Sequence, residues 1–541
     1  MDMHAYRIGN ILYGSRKDVS IEMRGLGRAI FNKMNEFKHN VLQIDANTGV
    51  KQTYGEVNKK LVRIALAMQG RGIKSGDVIL SCSYNSMDTI LPVYSTLYLN
   101  AVTVTLDPSI TLRDSARLLE AVSPKLVFVV PEAVDLIENT IANLKEKPEI
   151  IVMGLHSKYV TLSEFLEPHP DEDRFIPKDV EDMHDVSVIF FSSGTTGLPK
   201  PIMHSNYSMS KTCELLRTVF SFETTFFYTS FYWISAFLFM TTVILTGTKR
   251  IYYNTFTPAT FMKIIEKYKV TCTFLSPTFA MQFTEENTRN YNTESFKDFI
   301  CGGSTITETL VANIWKCFPN TKFRVGYGQT EIAGIISVFT GTNDDLHRKK
   351  PASSGLPYLN MIIKIADLET GKPLDPMKKG EIRFKCDTVL RGYMNTNYQP
   401  EDLFDSEGFL KSGDIGYYDE DNCIYICDRI KEMFKYQGWH VVPASIEAII
   451  YKHPAVLEAV VIGVPHKIDD HHPLALVVLK EGYSVTEDEL LAFVNGKVSD
   501  RENLRGGLKI VKKLLKTPTG KLARPKIRQV ILEGNLHQLT Y

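Results

Sequence analysis

The chain has no surplus of either charge: 62 Lys and Arg stand against 62 Asp and Glu in 541 residues. A balanced chain has no electrostatic footprint for nucleic acid or an anionic membrane surface, so no nucleic-acid partner is expected and any basic site is local. Cysteine is scarce and scattered, at 82, 213, 272, 301, 317, 386, 423 and 427. That scatter excludes a disulfide framework and fits a reducing compartment. Cys423 and Cys427 lie close together, on one face of an alternating strand-like run, but no second close pair completes a four-ligand zinc site. The first residues lack a basic region followed by an apolar run, so no signal peptide is read. The last three, Leu539-Thr540-Tyr541, are not a Ser-Lys-Leu type address. A cytoplasmic location is expected, with the peroxisome as the alternative. Repeats and low-complexity tracts are also missing. The uncharged stretch 224–248 is long enough to span a membrane, yet Thr and Ser interrupt it. It reads as a buried strand, loop and helix, and no membrane span is expected.

What is present is enough chain for two or more domains. Apolar runs 78–82, 101–104, 126–130 and 150–153 alternate with helical stretches. Continuous β-branched strands separated by helices predict parallel sheets covered on both faces, an α/β class. From Pro351 the strands alternate apolar and polar, as in 381–385 and 423–426, which predicts antiparallel pairing. Beyond Lys431 the pattern becomes helix 446–451, strands 459–464 and 475–479, and helix 487–498, a small α+β unit. The expected division is a large multi-sheet domain over 1–428 and a small mobile lid over 429–541, with the linker near Asp428–Lys431 and the active site between the two.

The densest local signal is Ser192-Ser193-Gly194-Thr195-Thr196-Gly197-Leu198-Pro199-Lys200, directly after the buried-strand run 186–191. Glycines let successive N–H groups turn toward one point, hydroxyls add donors and Lys200 adds a charge, as a polyphosphate cradle requires. The lysine spacing is not that of the P-loop.

With this loop come Gly302-Gly303-Ser304, Gly326-Tyr327-Gly328-Gln329-Thr330-Glu331, Ser412-Gly413-Asp414, Asp428-Arg429-Ile430-Lys431-Glu432, Lys435-Tyr436-Gln437-Gly438 and Pro518-Thr519-Gly520-Lys521. In this order and spacing, over nearly the whole chain, they resemble the adenylate-forming superfamily of acyl-CoA ligases, 4-coumarate–CoA ligases, insect luciferases and peptide-synthetase adenylation domains. The resemblance implies ATP, Mg²⁺ and coenzyme A as cofactor and co-substrates. It implies a nucleotide site made of the 192–200 loop, Gly303, Tyr327, Gly328, Thr330, Asp414, Arg429, Lys431, Gln437 and Gly438. Tyr327 would stack on adenine, with Gly303 and Gly328 leaving room for it. Thr330 would bond the α-phosphate, and Asp414 with Arg429 would hold the ribose. Glu331 would be the metal ligand. Lys521 would steady the charge of adenylation and Lys435 would serve thioester formation, Lys431 being the hinge.

Four positions depart from the family pattern. Pro201 follows Lys200 where Gly is usual. The aromatic run Phe231-Tyr232-Trp233 has no His. His440 replaces a usual Gln, and Gly334 stands where beetle luciferases have a small hydroxyl residue. Phe231, Tyr232, Trp233, Gly303 and Gly334 are the expected acyl-pocket lining, and their apolar character points to a fatty or aryl acid. Asp469-Asp470-His471-His472 reads as an exposed polar loop between strands and not as a metal site. The preferred function is an AMP-forming acyl-CoA ligase. The alternatives are a luciferase-like oxygenase and a catalytically silent binding homologue, the latter disfavoured by the presence of Lys200, Thr330, Glu331, Asp414, Arg429 and Lys521. A peptide-synthetase module is weaker still, since no carrier domain follows. Neither the acid's identity nor the oligomeric state has a signature in the sequence.

Overall fold

A computed structural model describes residues 4–540 apart from 143, 193–199, 305, 341–342, 396–398, 438 and 517–521. Alternating strands and helices build three large sheets, whose strands all lie at or before Arg429. The expected runs become Val78–Cys82, Val102–Leu106, Leu126–Val129 and Glu149–Val152, adjacent strands of one parallel sheet. The first three are buried along their whole length. Burial on both faces is why their β-branched runs are continuous. The same sheet takes in the Val186–Phe191 strand, which pairs antiparallel with Pro201–Ser205. Pro201 opens its strand, where a missing N–H is tolerated.

A second large sheet carries the Lys322–Gln329 strand, which returns antiparallel as Gly334–Val338 through a 3₁₀ turn at Thr330–Ile332. The uncharged stretch resolves into the Thr224–Phe227 strand, a turn and the Ile234–Thr246 helix. No helix among the described residues is long and apolar enough to cross a membrane. The third sheet is antiparallel throughout and contains Gly380–Lys385, Leu410–Tyr418 and Ile424–Arg429, as the alternating pattern predicted.

The fourth sheet is small and lies wholly beyond Arg429, in Phe434–Tyr436, Trp439–Val441, Val456–His466, Asp470–Leu479 and Gly507–Ile510. The Pro443–Ile450 helix begins three residues before the expected start because Pro443 serves as its first residue. The Glu487–Asn495 helix is started by a capping box between Thr486 and Glu489. Glu447 accepts two hydrogen bonds from the guanidinium of Arg524, both 2.6 Å, tying the first helix of this unit to the Arg524–Leu532 helix. Asp428 accepts from Arg429 N–H and from Ala444 N–H (2.8 and 2.9 Å), so its carboxylate fastens the last strand of the large sheets to the first helix of the small unit.

Candidate nucleotide and acyl-transfer site

The phosphate-loop reading rests on a strand, a loop and a returning strand. Ser192 N–H donates to Lys200 O (3.0 Å) and Lys200 N–H donates to Ser192 Oγ (2.9 Å), pinching the two ends together. Ser193, Gly194, Thr195, Thr196 and Gly197 lie between them and outside the described residues, as do Gly438 and Lys521.

Lys200 Nζ sits 5.0 Å from the centroid of the Tyr393 ring, within cation–π range. Tyr393 Oη–H donates to Glu331 Oε1 (3.1 Å). Lys200, Tyr393 and Glu331 therefore converge from three separate segments. Glu331 belongs to the Thr330–Ile332 turn, which is pinned on two sides. Leu390 N–H donates to Glu331 O (2.7 Å), and His204 Nε2–H donates to Thr330 O (2.7 Å). Burial holds the His204 imidazole down at about 4, so it is a neutral donor.

The second half of the site centres on Asp414, which is buried on the Leu410–Tyr418 strand. Its Oδ1 meets Arg429 Nε at 2.7 Å, across the antiparallel rung that pairs Asp414 with Arg429. Its Oδ2 accepts from Tyr327 Oη–H and Gln329 Nε2–H, both 2.6 Å. Gln329 also donates to Ser412 O (3.0 Å). Burial, together with the charge of Asp414, holds the Tyr327 phenol well above its ordinary value. Burial pulls the Arg429 guanidinium down, but Asp414 and the other negative groups around it leave it raised. The result is a preassembled carboxylate, guanidinium, phenol and amide.

A model of AMP-binding enzymes matches residues 31–394, and a model of their C-terminal domain matches residues 445–521. The chain belongs to the AMP-binding enzyme family. Among curated proteins, this AMP-binding enzyme is 29% identical to luciferin 4-monooxygenase of Photuris pensylvanica, over 96% of this chain and 98% of that one. It is 28% identical to a probable 4-coumarate–CoA ligase 3 of Dictyostelium discoideum, over 90% of this chain and 92% of that one. Among solved structures, the luciferase-like enzyme of the nonluminescent mealworm Zophobas morio is 34% identical with a TM-score of 0.74, over 78% of this chain and 99% of that one. The family is adenylate-forming and ATP-dependent, and its relatives include CoA ligases.

Several expected residues play a different or additional part in this AMP-binding enzyme. Gly328 is accounted for by the hairpin: a Cβ there would lie 2.2 Å from Gly334 O, so only glycine lets the two strands approach. Gly303 is the opposite case: nothing lies within 4 Å of where a Cβ would be, and glycine is favoured there by the φ of +93°. Phe231 is a core residue, buried against Phe227. Tyr232 stacks on Phe191 and meets Trp233 edge-on. Gly334 lines a small cavity with Thr212, Leu215, Ile335 and Met361.

In the small C-terminal unit, Lys435 points outward from the Phe434–Tyr436 strand, whose other two residues are buried. Lys431, also exposed, lines a cleft of about 460 Å³ with Arg524 and Arg528. Gln437 adopts a φ of +48° and donates to Asp469 Oδ1 (2.8 Å). The loop expectation for 469–472 is corrected: Asp470–His472 open the Asp470–Leu479 strand, and Asp469 and His472 gather with His466. The hairpin pairs these residues in register, which a polar run in sequence does not reveal.

Sequence reasoning missed Gln329, Tyr393 and His204. Gln329 stood inside a recognised motif without a role. Tyr393 and His204 lie on paired strands of one sheet and meet Glu331 and Thr330 of another, 62 and 126 residues away, a contact between sheets that leaves no local signal.

Proposed function

We propose that this chain is an AMP-forming carboxylate–CoA ligase acting on a hydrophobic acid, with a large domain over 1–428 and a lid over 429–541. The observation that carries the reading is the buried Asp414 cluster facing the Thr330–Glu331 turn. A carboxylate held by Arg429, Tyr327 and Gln329 is preorganised to accept ribose hydroxyls without rearranging its surroundings. Arg429, already paired with Asp414, shares the sugar with it. The Tyr327 hydroxyl is engaged by Asp414, which leaves the ring as a face for the base. Lys200 and the pinched loop meet the phosphates, and Thr330 lies beside them on a turn fixed by His204.

The residues present fit a divalent cation. Glu331 is anchored through one oxygen by Tyr393, its other oxygen remains a hard donor, and hard oxygen donors suit Mg²⁺. When bound, Mg²⁺ neutralises the triphosphate and eases pyrophosphate departure. In the first step the acid's carboxylate oxygen attacks the α-phosphorus and pyrophosphate leaves, giving an acyl-adenylate. In the second, the thiol sulfur attacks the acyl carbonyl, its proton is lost and AMP leaves. Lys521 serves the first step and Lys435 the second, after rotation about Lys431.

The luciferase-like oxygenase is the second reading, favoured by the 29% identity to a luciferin monooxygenase. The experiment is nucleotide chromatography after turnover of ATP with a panel of carboxylic acids, with and without coenzyme A. AMP and pyrophosphate, with a CoA-dependent thioester, are the expected products. ADP accumulating with the acyl product overturns the reading, and oxygen-dependent light with luciferin and no thioester moves it to the oxygenase.

A further inference from the structure

The lid holds a cluster that the two half-reactions do not use. The Val456–His466 and Asp470–Leu479 strands form a hairpin with His466 opposite Asp470 and Val464 opposite His472. This register makes His466 and His472 diagonal neighbours on one face. Their rings stack with centroids 3.8 Å apart and planes 18° apart. The turn between the strands is tight. Asp470 takes a φ of +64°, His471 N–H donates to Asp469 O (2.8 Å), and the Asp469 carboxylate is carried back toward both rings. Asp469 Oδ2 lies 2.8 Å from His472 Nε2 and 3.2 Å from His466 Nδ1.

We propose that His466, Asp469 and His472 form a binding site for a divalent transition cation of the zinc class. The three ligand atoms lie within 4.8 Å of one another. A tetrahedral ion with bonds of about 2.0–2.2 Å separates its ligands by roughly 3.3 Å, so small side-chain adjustments admit one. Imidazole nitrogen with one carboxylate oxygen is a donor set that zinc accepts, and three protein ligands leave a fourth position to solvent.

A further observation points to a cation. His466 Nδ1 accepts from Asp469 N–H at 3.3 Å, a long contact that an ion taking the same lone pair would replace. The second oxygen of Asp469 is held by Gln437 Nε2 (2.8 Å), the outer-shell anchor a ligating carboxylate requires. Gln437 N–H also donates to Asp469 O (3.1 Å), and Tyr436 pairs with Asp470. An ion here would fasten the hairpin that carries Lys435 to the hairpin turn at 466–470. His466 is the exposed member and supplies the entry path.

The test uses the full chain, stripped with chelator and titrated with Co²⁺ and then Zn²⁺. The expected result is one equivalent of Co²⁺ giving visible absorption of a low-coordinate site, displaced by Zn²⁺. The H466A and H472A variants should each weaken Co²⁺ binding at least tenfold. H471A should retain it, because His471 Nε2 bonds Arg528 instead. Hydrogen exchange at the 435–439 amides should slow on Zn²⁺ addition in the parent chain and in H471A only. Absence of saturable one-to-one binding overturns the proposal. So does binding that survives in H466A and H472A, whose folding is checked by circular dichroism. A proton-bridged cluster, insensitive to either metal, is the rival outcome that the same titration exposes.

Discussion

The cluster around Asp414 and the lysines of the lid differ in how their charges are satisfied. Asp414 is buried and engaged by three side chains from two sheets. The Lys431 and Lys435 side chains are exposed and have no hydrogen-bond or ion-pair partner among the described residues. A group that must hold one ligand orientation throughout turnover is fixed by its neighbours in advance. Groups that take turns at one carbonyl cannot be, since any partner strong enough to fix them would have to be broken each cycle. The Asp414 cluster is accordingly a set of interlocked polar contacts, and the small C-terminal unit carries cationic side chains that stand clear of its sheet.

The strongest way to break this contrast is to remove its anchor. Asp414→Ala should lower acyl-adenylate formation roughly a hundredfold, the order expected when charge-assisted hydrogen bonds are lost, while circular dichroism stays native. A tenfold or smaller loss would mean the cluster is structural.

Next comes the lid's own interior. Glu447→Ala leaves the half-buried Arg524 guanidinium without its carboxylate and should destabilise the C-terminal unit by about 3 kcal/mol in chemical denaturation. Adenylation from acid and ATP should fall with it, because the proposed mechanism assigns Lys521 to that unit. Unchanged stability would show that the lid is not held by this pair.

A comparable effect should appear as acid sensitivity. His204 and His347 are both held by burial at about 4, below the ordinary imidazole value. Between about pH 6.5 and pH 4 the unfolded chain therefore binds more protons than the folded one. Their contribution, about 3 kcal/mol each, is full above pH 6.5 and is lost as the pH falls toward 4. His204→Leu should flatten that slope by about half, and it should also loosen the Thr330 turn. A slope unchanged by the substitution would remove His204 from the account.

The smallest expected change is at Tyr393. Tyr393→Phe removes one hydrogen bond to Glu331 and keeps the ring over Lys200, so the Mg²⁺ concentration for half-maximal rate should rise several-fold with little change in kcat.

The legible part of the molecule was what short segments encode. Runs such as Val78–Cys82 announced parallel strands because both faces are buried, and alternation in Glu381–Lys385 announced antiparallel pairing. The motif strings located the loop, the Thr330–Glu331 turn, Asp414 and Arg429. What the chain did not announce was anything made by pairing across distance. Gln329 was visible but had no role until Asp414 was seen beside it. Tyr393 and His204 became site residues only because Pro201–Ser205 and Gly392–Tyr393 pair in one sheet and meet the Thr330–Ile332 turn of another. Gly328, read as space for a nucleotide, is glycine because Gly334 O passes 2.2 Å from where its Cβ would be. Asp469 to His472 looked like a polar loop, and His466 had no reading at all, because the hairpin that stacks the two rings has no periodic signature.

The central claim is that one acyl carbonyl is served in turn by two lysines on a rotating lid. Single-turnover kinetics on Lys521→Ala and Lys435→Ala test it, started from acid plus ATP and separately from synthetic acyl-adenylate plus coenzyme A. Lys521→Ala should slow adenylation about a hundredfold or more and still convert supplied adenylate to thioester. Lys435→Ala should do the reverse. Equal slowing of both half-reactions by Lys521→Ala would contradict the alternating lid.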